Sequence, residues 1–296
     1  AKVHAGPSNS TGQIWPGFVY GGESIPGQWT NARGTAYVIG AARQQGPYSS
    51  RHYLLSNEQF RFLIYGDPEY DLHKFNFETD VPATFAAGAV LDADNPDLSG
   101  FKNRGGKVIF WQGWSDWAVN ANATINYYER VLKTMGGAQQ VTSFARLFML
   151  PGLGHCTATD PEKKAPNVAD FLTALEQWVE KGVAPTRIVA SHVVSTGARG
   201  EEEGYSMPIR GTVDRTRPLC VYPELGAYKE SGDMDGQANF VCGLATFGDI
   251  TVRKNLDTTL RAAEERWRSI AENPFDFVVI IDAAASPTHV SRPLSS

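Results

Sequence analysis

The stretch Phe148-Met149-Leu150-Pro151-Gly152-Leu153-Gly154-His155-Cys156 constrains the fold more than any other part of the chain. An apolar run that reads as a buried strand stops at Pro-Gly-x-Gly, and a histidine follows at once. The glycines supply a tight loop, and the loop presents an imidazole just past a strand end. Open α/β sheets carry their reacting groups on loops beyond the carboxyl ends of their strands. Cys156 stands directly beside the histidine. Together they suggest a general base with a covalent brace, as in a hydrolase.

The neighbouring segments support such a sheet. Residues 107–111 (KVIFW) form a second short apolar run, rich in β-branched and aromatic residues. A loop over 112–119 is followed by an amphipathic helix over 122–135, with Ile125, Tyr128, Leu132 and Met135 near one face and Gly136-Gly137 as its stop. Residues 144–150 read as the next strand. A second helix is expected over 168–181, with Phe171, Leu172, Leu175, Trp178 and Val179 apolar and Gly182 behind it. Strand, helix, strand, helix implies a parallel sheet with covering helices.

The rest of the chain is less regular. Residues 1–50 are loop-heavy with isolated aromatics (Trp15, Phe18, Tyr20, Trp29). Helices are expected over 56–65 and 81–90, and a turn at Asp94-Asn95-Pro96-Asp97. Residues 198–218 are polar and turn-rich, with Glu201-Glu202-Glu203 a solvated loop. After residue 248 the character changes: a charged helix is expected over 256–270, an isolated strand over 275–281 and disorder over 283–296.

With 296 residues and 42% hydrophobic content the chain can build one large domain or two smaller ones. A net charge of -5 argues against nucleic acid as a partner, because phosphate binding needs clustered Lys and Arg. No apolar run approaches the ~18 residues of a membrane span. No signal peptide is visible at the start. The three cysteines leave at least one thiol unpaired within the chain; Cys220 and Cys242 can pair across the segment between them. The sequons Asn9-Ser10-Thr11 and Asn122-Ala123-Thr124, taken with the cysteines, lean toward a secreted or periplasmic protein.

Gly113-Trp114-Ser115-Asp116 follows the first good strand and Gly154-His155-Cys156 the second. If the strands are neighbours, Asp116 and His155 can meet. A carboxylate bonded to one imidazole nitrogen fixes the tautomer and stabilises the imidazolium formed when the other nitrogen takes a proton from a serine. The plainer alternative is that Asp116 caps a turn and His155 is an ordinary loop histidine. A nucleophile elbow, Gly-x-Ser-x-Gly, is absent: the nearest match has Trp117 at the second glycine position, and Ser115 adjoins the aspartate. Cys156 as a thiol nucleophile is disfavoured, because adjacent residues on a strand end point apart; a disulfide anchoring the loop suits it better. Asp92, Asp94 and Asp97 lack a calcium-loop spacing and read as a solvated acidic turn.

At these residues the chain resembles the tannase and feruloyl esterase family, which includes the mono(hydroxyethyl) terephthalate hydrolases. Matching stretches run in order: Trp15-Pro16-Gly17-Phe18, Asp67-Pro68-Glu69-Tyr70-Asp71, Asn95-Pro96-Asp97-Leu98, Gly113-Trp114-Ser115-Asp116, Pro151-Gly152-Leu153-Gly154-His155-Cys156 and Arg217-Pro218-Leu219-Cys220. The resemblance covers roughly residues 1 to 243. It implies the C-terminal part of an α/β-hydrolase fold with the end of an inserted lid domain: lid over 1–95, catalytic domain over 96–247 and an atypical tail over 248–296. It implies a serine-type carboxylic ester hydrolase for esters of aromatic or phenolic acids, with Asp116 and His155 as acid and base. Cys156 would bond to the cysteine before a serine lying outside this chain, and Cys220 would pair with Cys242. The family carries a structural calcium whose loop is absent here, so no cofactor is expected. Gln112 stands where the family has histidine. The isolated chain is expected to be inactive, an N-terminal chain or segment supplying the serine. The alternative is a non-catalytic derivative that binds an aromatic ester or a partner.

Overall fold

The computed structural model describes residues 2–20, 56–116, 118–155, 164–194 and 211–244. After a single helical turn over Lys2–Ala5 comes a small antiparallel hairpin, β1 (Ser8–Asn9) and β2 (Gly12–Gln13). The centre is a parallel pair, β3 (Val108–Gly113) and β4 (Ala145–Leu150), in register from Val108 opposite Ala145 to Gly113 opposite Leu150. Parallel neighbours need a crossover, and helix α1 (Ala121–Thr134) provides it. Its N-cap is Asn120, whose side chain accepts from Asn122 N at 2.9 Å.

Strand β4 is packed on both faces, which is why its sequence reads as one unbroken apolar run. Ala145, Leu147 and Met149 join Ile125, Tyr128 and Val131 of α1 in one core cluster. Phe148 and Leu150 point the other way, against Phe171, Ile188 and Leu219. Tyr128 is buried to the hydroxyl, which donates to Ala145 O at 3.1 Å, and burial pushes its phenol up to about 12.

A second sheet abuts the first. Strands β5 (Val168–Ala169), β6 (Arg187–Val194) and β7 (Thr212–Cys220) pair antiparallel in that order. Helix α2 (Phe171–Lys181) lies between β5 and β6 in the chain. Just beyond β7, Val221 bridges to Phe148 and Tyr222 N donates to Leu147 O at 2.8 Å, so the two sheets are joined at β4. A hairpin of β8 (Leu225–Tyr228) and β9 (Phe240–Gly243) follows. The disulfide Cys220–Cys242 ties the end of β7 to β9.

Several expectations need correction. The first strand runs to Gly113, so Gln112 and Gly113 belong to the sheet and not to the loop. The helix expected from residue 168 starts at Phe171, because Val168 and Ala169 pair with β6 and Asp170 caps the helix by accepting from Thr173 N at 2.9 Å. Of its apolar residues, Leu172 and Val179 are exposed. The pairing is not wholly parallel: among the described residues only β3–β4 is. Strand β7 occupies residues read as polar turns. Its charged side chains are satisfied across the fold, as in Arg215 Nε to Asp235 Oδ1 at 2.5 Å. The helix expected over 81–90 breaks at Thr84 into Asp80–Ala83 and Phe85–Leu91, the hydroxyl of Thr84 donating to Val81 O at 2.7 Å. The helix expected over 56–65 does form, with its residues Gln59–Ile64 wound as a π-helix. Cys156, Trp29, residues 198–210 and everything expected beyond 248 lie outside the described residues.

Candidate active site

The parallel register carries two strand ends to the same edge. Past Gly113, Trp114 N donates to Leu150 O and Ser115 N to Leu153 O, both at 2.9 Å. These bonds lay the loop after β3 against the loop after β4. Gly113 permits the approach, since a Cβ there would stand 2.3 Å from Leu153 O. Gly152 turns the second loop with φ of +70, a conformation that favours glycine. Leu153, fully buried, pins that loop into the core.

Asp116 and His155 meet at this junction. His155 Nδ1 lies 3.2 Å from Asp116 Oδ2. A carboxylate only accepts, so Nδ1 is the nitrogen that carries the proton in this contact. The Asp116 side chain is 7% exposed and that of His155 39%. Asp116 is held from several sides: Oδ1 accepts from Ala118 N at 2.8 Å and Val119 N at 2.9 Å, and Oδ2 also accepts from Gln112 Nε2 at 3.0 Å. A carboxylate has about four lone-pair directions, and four donors take them. Ser115, on the same turn, is buried and places its backbone N–H on Leu153 O.

The N-terminal segment reaches the same region. Asn120 Nδ2 donates to Pro16 O at 2.6 Å and Asn122 Nδ2 to Gly17 O at 2.7 Å. Gly17 is needed for this close packing, because a Cβ would fall 1.9 Å from His4 O. The Asn122 sequon therefore has its amide nitrogen engaged inside the fold. Sequence reasoning missed this seam. Its signal is the pair of asparagines at the start of α1 together with Pro16-Gly17.

A second imidazole–carboxylate contact was also missed. His192 Nδ1 is 2.5 Å from Asp214 Oδ1, and Lys164 Nζ is 3.0 Å from Asp214 Oδ2. The His192 hydrogen bond, then that of Lys164, holds the Asp214 carboxyl below the usual carboxylate range. The acidic turn expected over 92–97 is exposed: Asp94 pairs with Arg130 at 2.9 Å, and Asp97 accepts from Ser99 N at 2.9 Å. Among the described residues no group of three or more His, Cys, Asp or Glu is placed to hold a metal ion, and no helix is long and apolar enough to cross a membrane.

A parallel strand pair, its crossover helix and a carboxylate–imidazole contact on the loops at its carboxyl end define an α/β protein with its candidate site at the position usual for open sheets. The family profile for tannase and feruloyl esterase matches residues 1–243, and the chain belongs to that family. It is 33% identical over 275 residues to a protein of Xanthomonas campestris pv. campestris named an uncharacterized esterase, covering 82% of this chain and 44% of that protein. To the mono(2-hydroxyethyl) terephthalate hydrolase of Piscinibacter sakaiensis it is 38% identical over 177 residues, 57% of this chain and 26% of that one. The crystal structure of feruloyl esterase B from Aspergillus oryzae shares the fold, with a TM-score of 0.59 at 20% identity over 81% of this chain and 44% of that chain. The chain thus spans less than half the length of these relatives.

Proposed function

We propose that this chain carries the acid and base of a serine-type carboxylic ester hydrolase, with the serine supplied by a segment outside its 296 residues. The observation that carries the reading is the contact between His155 Nδ1 and Asp116 Oδ2, 3.2 Å, on neighbouring loops of a parallel pair. The names of the relatives support an ester as the substrate, and one built on an aromatic or phenolic acid. In this reaction the serine hydroxyl attacks the ester carbonyl and His155 takes its proton on Nε2. Asp116 keeps Nδ1–H in place and stabilises the imidazolium, which then protonates the departing alcohol. Water repeats the sequence on the acyl-enzyme.

On this reading residues 1–95 end a lid domain, 96–247 complete an α/β-hydrolase core, and Cys156 forms a disulfide to a cysteine beside the serine. The Cys220–Cys242 disulfide supports an oxidising location, secreted or periplasmic. Hydrolysis of methyl gallate and methyl ferulate by the isolated chain tests the placement of the serine. No turnover is expected. Turnover that disappears in His155→Ala would show that this chain holds its own nucleophile and would sink the proposal.

A further inference from the structure

We infer that Gln112 is a positioning residue for the Asp116–His155 pair, its buried amide fixing the carboxylate oxygen that receives the His155 Nδ1–H. The inference rests on the reading of that pair as acid and base. Gln112 sits on β3, 7% exposed, and a buried amide must satisfy both its ends. Its Nε2 donates to Asp116 Oδ2 at 3.0 Å and to Val119 O at 3.1 Å. Its Oε1 accepts from the Thr124 hydroxyl of α1 at 3.2 Å. Turning the amide over would set its oxygen against two acceptors, so one orientation is selected.

The arrangement has a specific consequence. The backbone N–H groups of Ala118 and Val119 hold Oδ1, but both belong to the loop itself. Gln112 adds a donor from a strand, and Thr124 braces that donor from a helix. Oδ2 is thereby referred to two regular elements, which keep a site more accurately than a loop does. An amide does not titrate, so this hold does not change as His155 gains and loses its proton.

The test is nitrogen-15 spectroscopy of the His155 ring in the full chain, with His155→Gln identifying the signals. The unsubstituted chain should show one tautomer, with Nδ1 protonated and its proton shifted downfield by the carboxylate. Gln112→Met keeps the length but removes donor and acceptor. It should pull the two ring nitrogens toward tautomer-averaged positions and weaken the downfield proton. Thr124→Val should do the same to a smaller extent. A folded Gln112→Met chain with unchanged His155 signals overturns the inference. If that variant does not fold, unchanged signals in Thr124→Val overturn it. Asp116→Asn separates the two levels: if it leaves the ring signals untouched, the acid–base reading fails along with the positioning role.

Discussion

Among the described residues three histidines touch aspartates; His73 meets Asp71 two residues away, while His155 and His192 meet aspartates remote in the chain, and the surroundings of these two differ. His155 and Asp116 sit on two loops at the carboxyl ends of parallel strands, with the carboxylate buried and the imidazole more than a third exposed. His192 and Asp214 lie on adjacent antiparallel strands, beside the register shift between His192 and Val193, with Lys164 sharing the carboxylate. Among the described residues the carboxylate of the first pair receives neutral donors besides the imidazole. In the second it already has a cation. An imidazole–carboxylate contact is therefore not by itself a catalytic feature. What distinguishes the first pair is its place at the strand ends and a carboxylate held by backbone and amide donors. The second pair links two adjacent strands, and Lys164 is tied to them through Asp214.

Breaking the frame that both pairs share should have the largest effect. Phe148 is fully buried between the two sheets, so Phe148→Ala is expected to cost about 3–5 kcal/mol, read by denaturant unfolding. Next, Cys220 and Cys242 close a span of 22 residues. Replacing both by serine should cost about 3 kcal/mol through the freed unfolded chain. It should loosen the Asp214 strand more than the Asp116 loop, as local hydrogen exchange would report.

Gly113→Ala sharpens the contrast. The added methyl meets the Leu153 carbonyl, a backbone atom that cannot move aside alone. An expected cost of about 1–3 kcal/mol should come with loss of the His155–Asp116 contact while the His192–Asp214 contact persists, both visible in ring-nitrogen spectra. The smallest effect is expected at the second pair. Asp214→Asn removes a partly exposed ion pair of the kind worth about 0.2–1 kcal/mol. Because the folded carboxyl titrates below its unfolded value near ~3.9, its contribution is present above that pH and fades as acid carries the solution down through the folded value. The difference in stability between the unsubstituted chain and Asp214→Asn should be flat near neutrality and shrink below about pH 4. A difference that grows with acid would reverse the assigned sign.

The sequence makes the first pair visible and hides the second for one physical reason. Residues 144–150 are buried on both faces, so the strand reads as an apolar run, and the glycines after it mark the turn that lifts His155. Asp116 stands on the loop just past the end of the partner strand. Strand β7 gives no such signal, since its Asp214, Arg215 and Arg217 are satisfied by partners remote in the chain. Gln112 was legible only as a departure from a family pattern. Its role needs the strand to extend two residues past the apolar run, which composition does not show. The helix boundary at Phe171 was obscured because Val168 and Ala169 are as apolar as the helix face, and only the cap at Asp170 separates them.

Hydrolysis of methyl ferulate by this chain together with the segment that supplies the serine, compared between His155→Gln and His192→Gln, tests the account most directly. The expected result is a fall in kcat of about six orders of magnitude for His155→Gln, with His192→Gln within a few-fold of the unsubstituted protein. Equal losses in the two variants, or substantial turnover retained without the His155 imidazole, would contradict it.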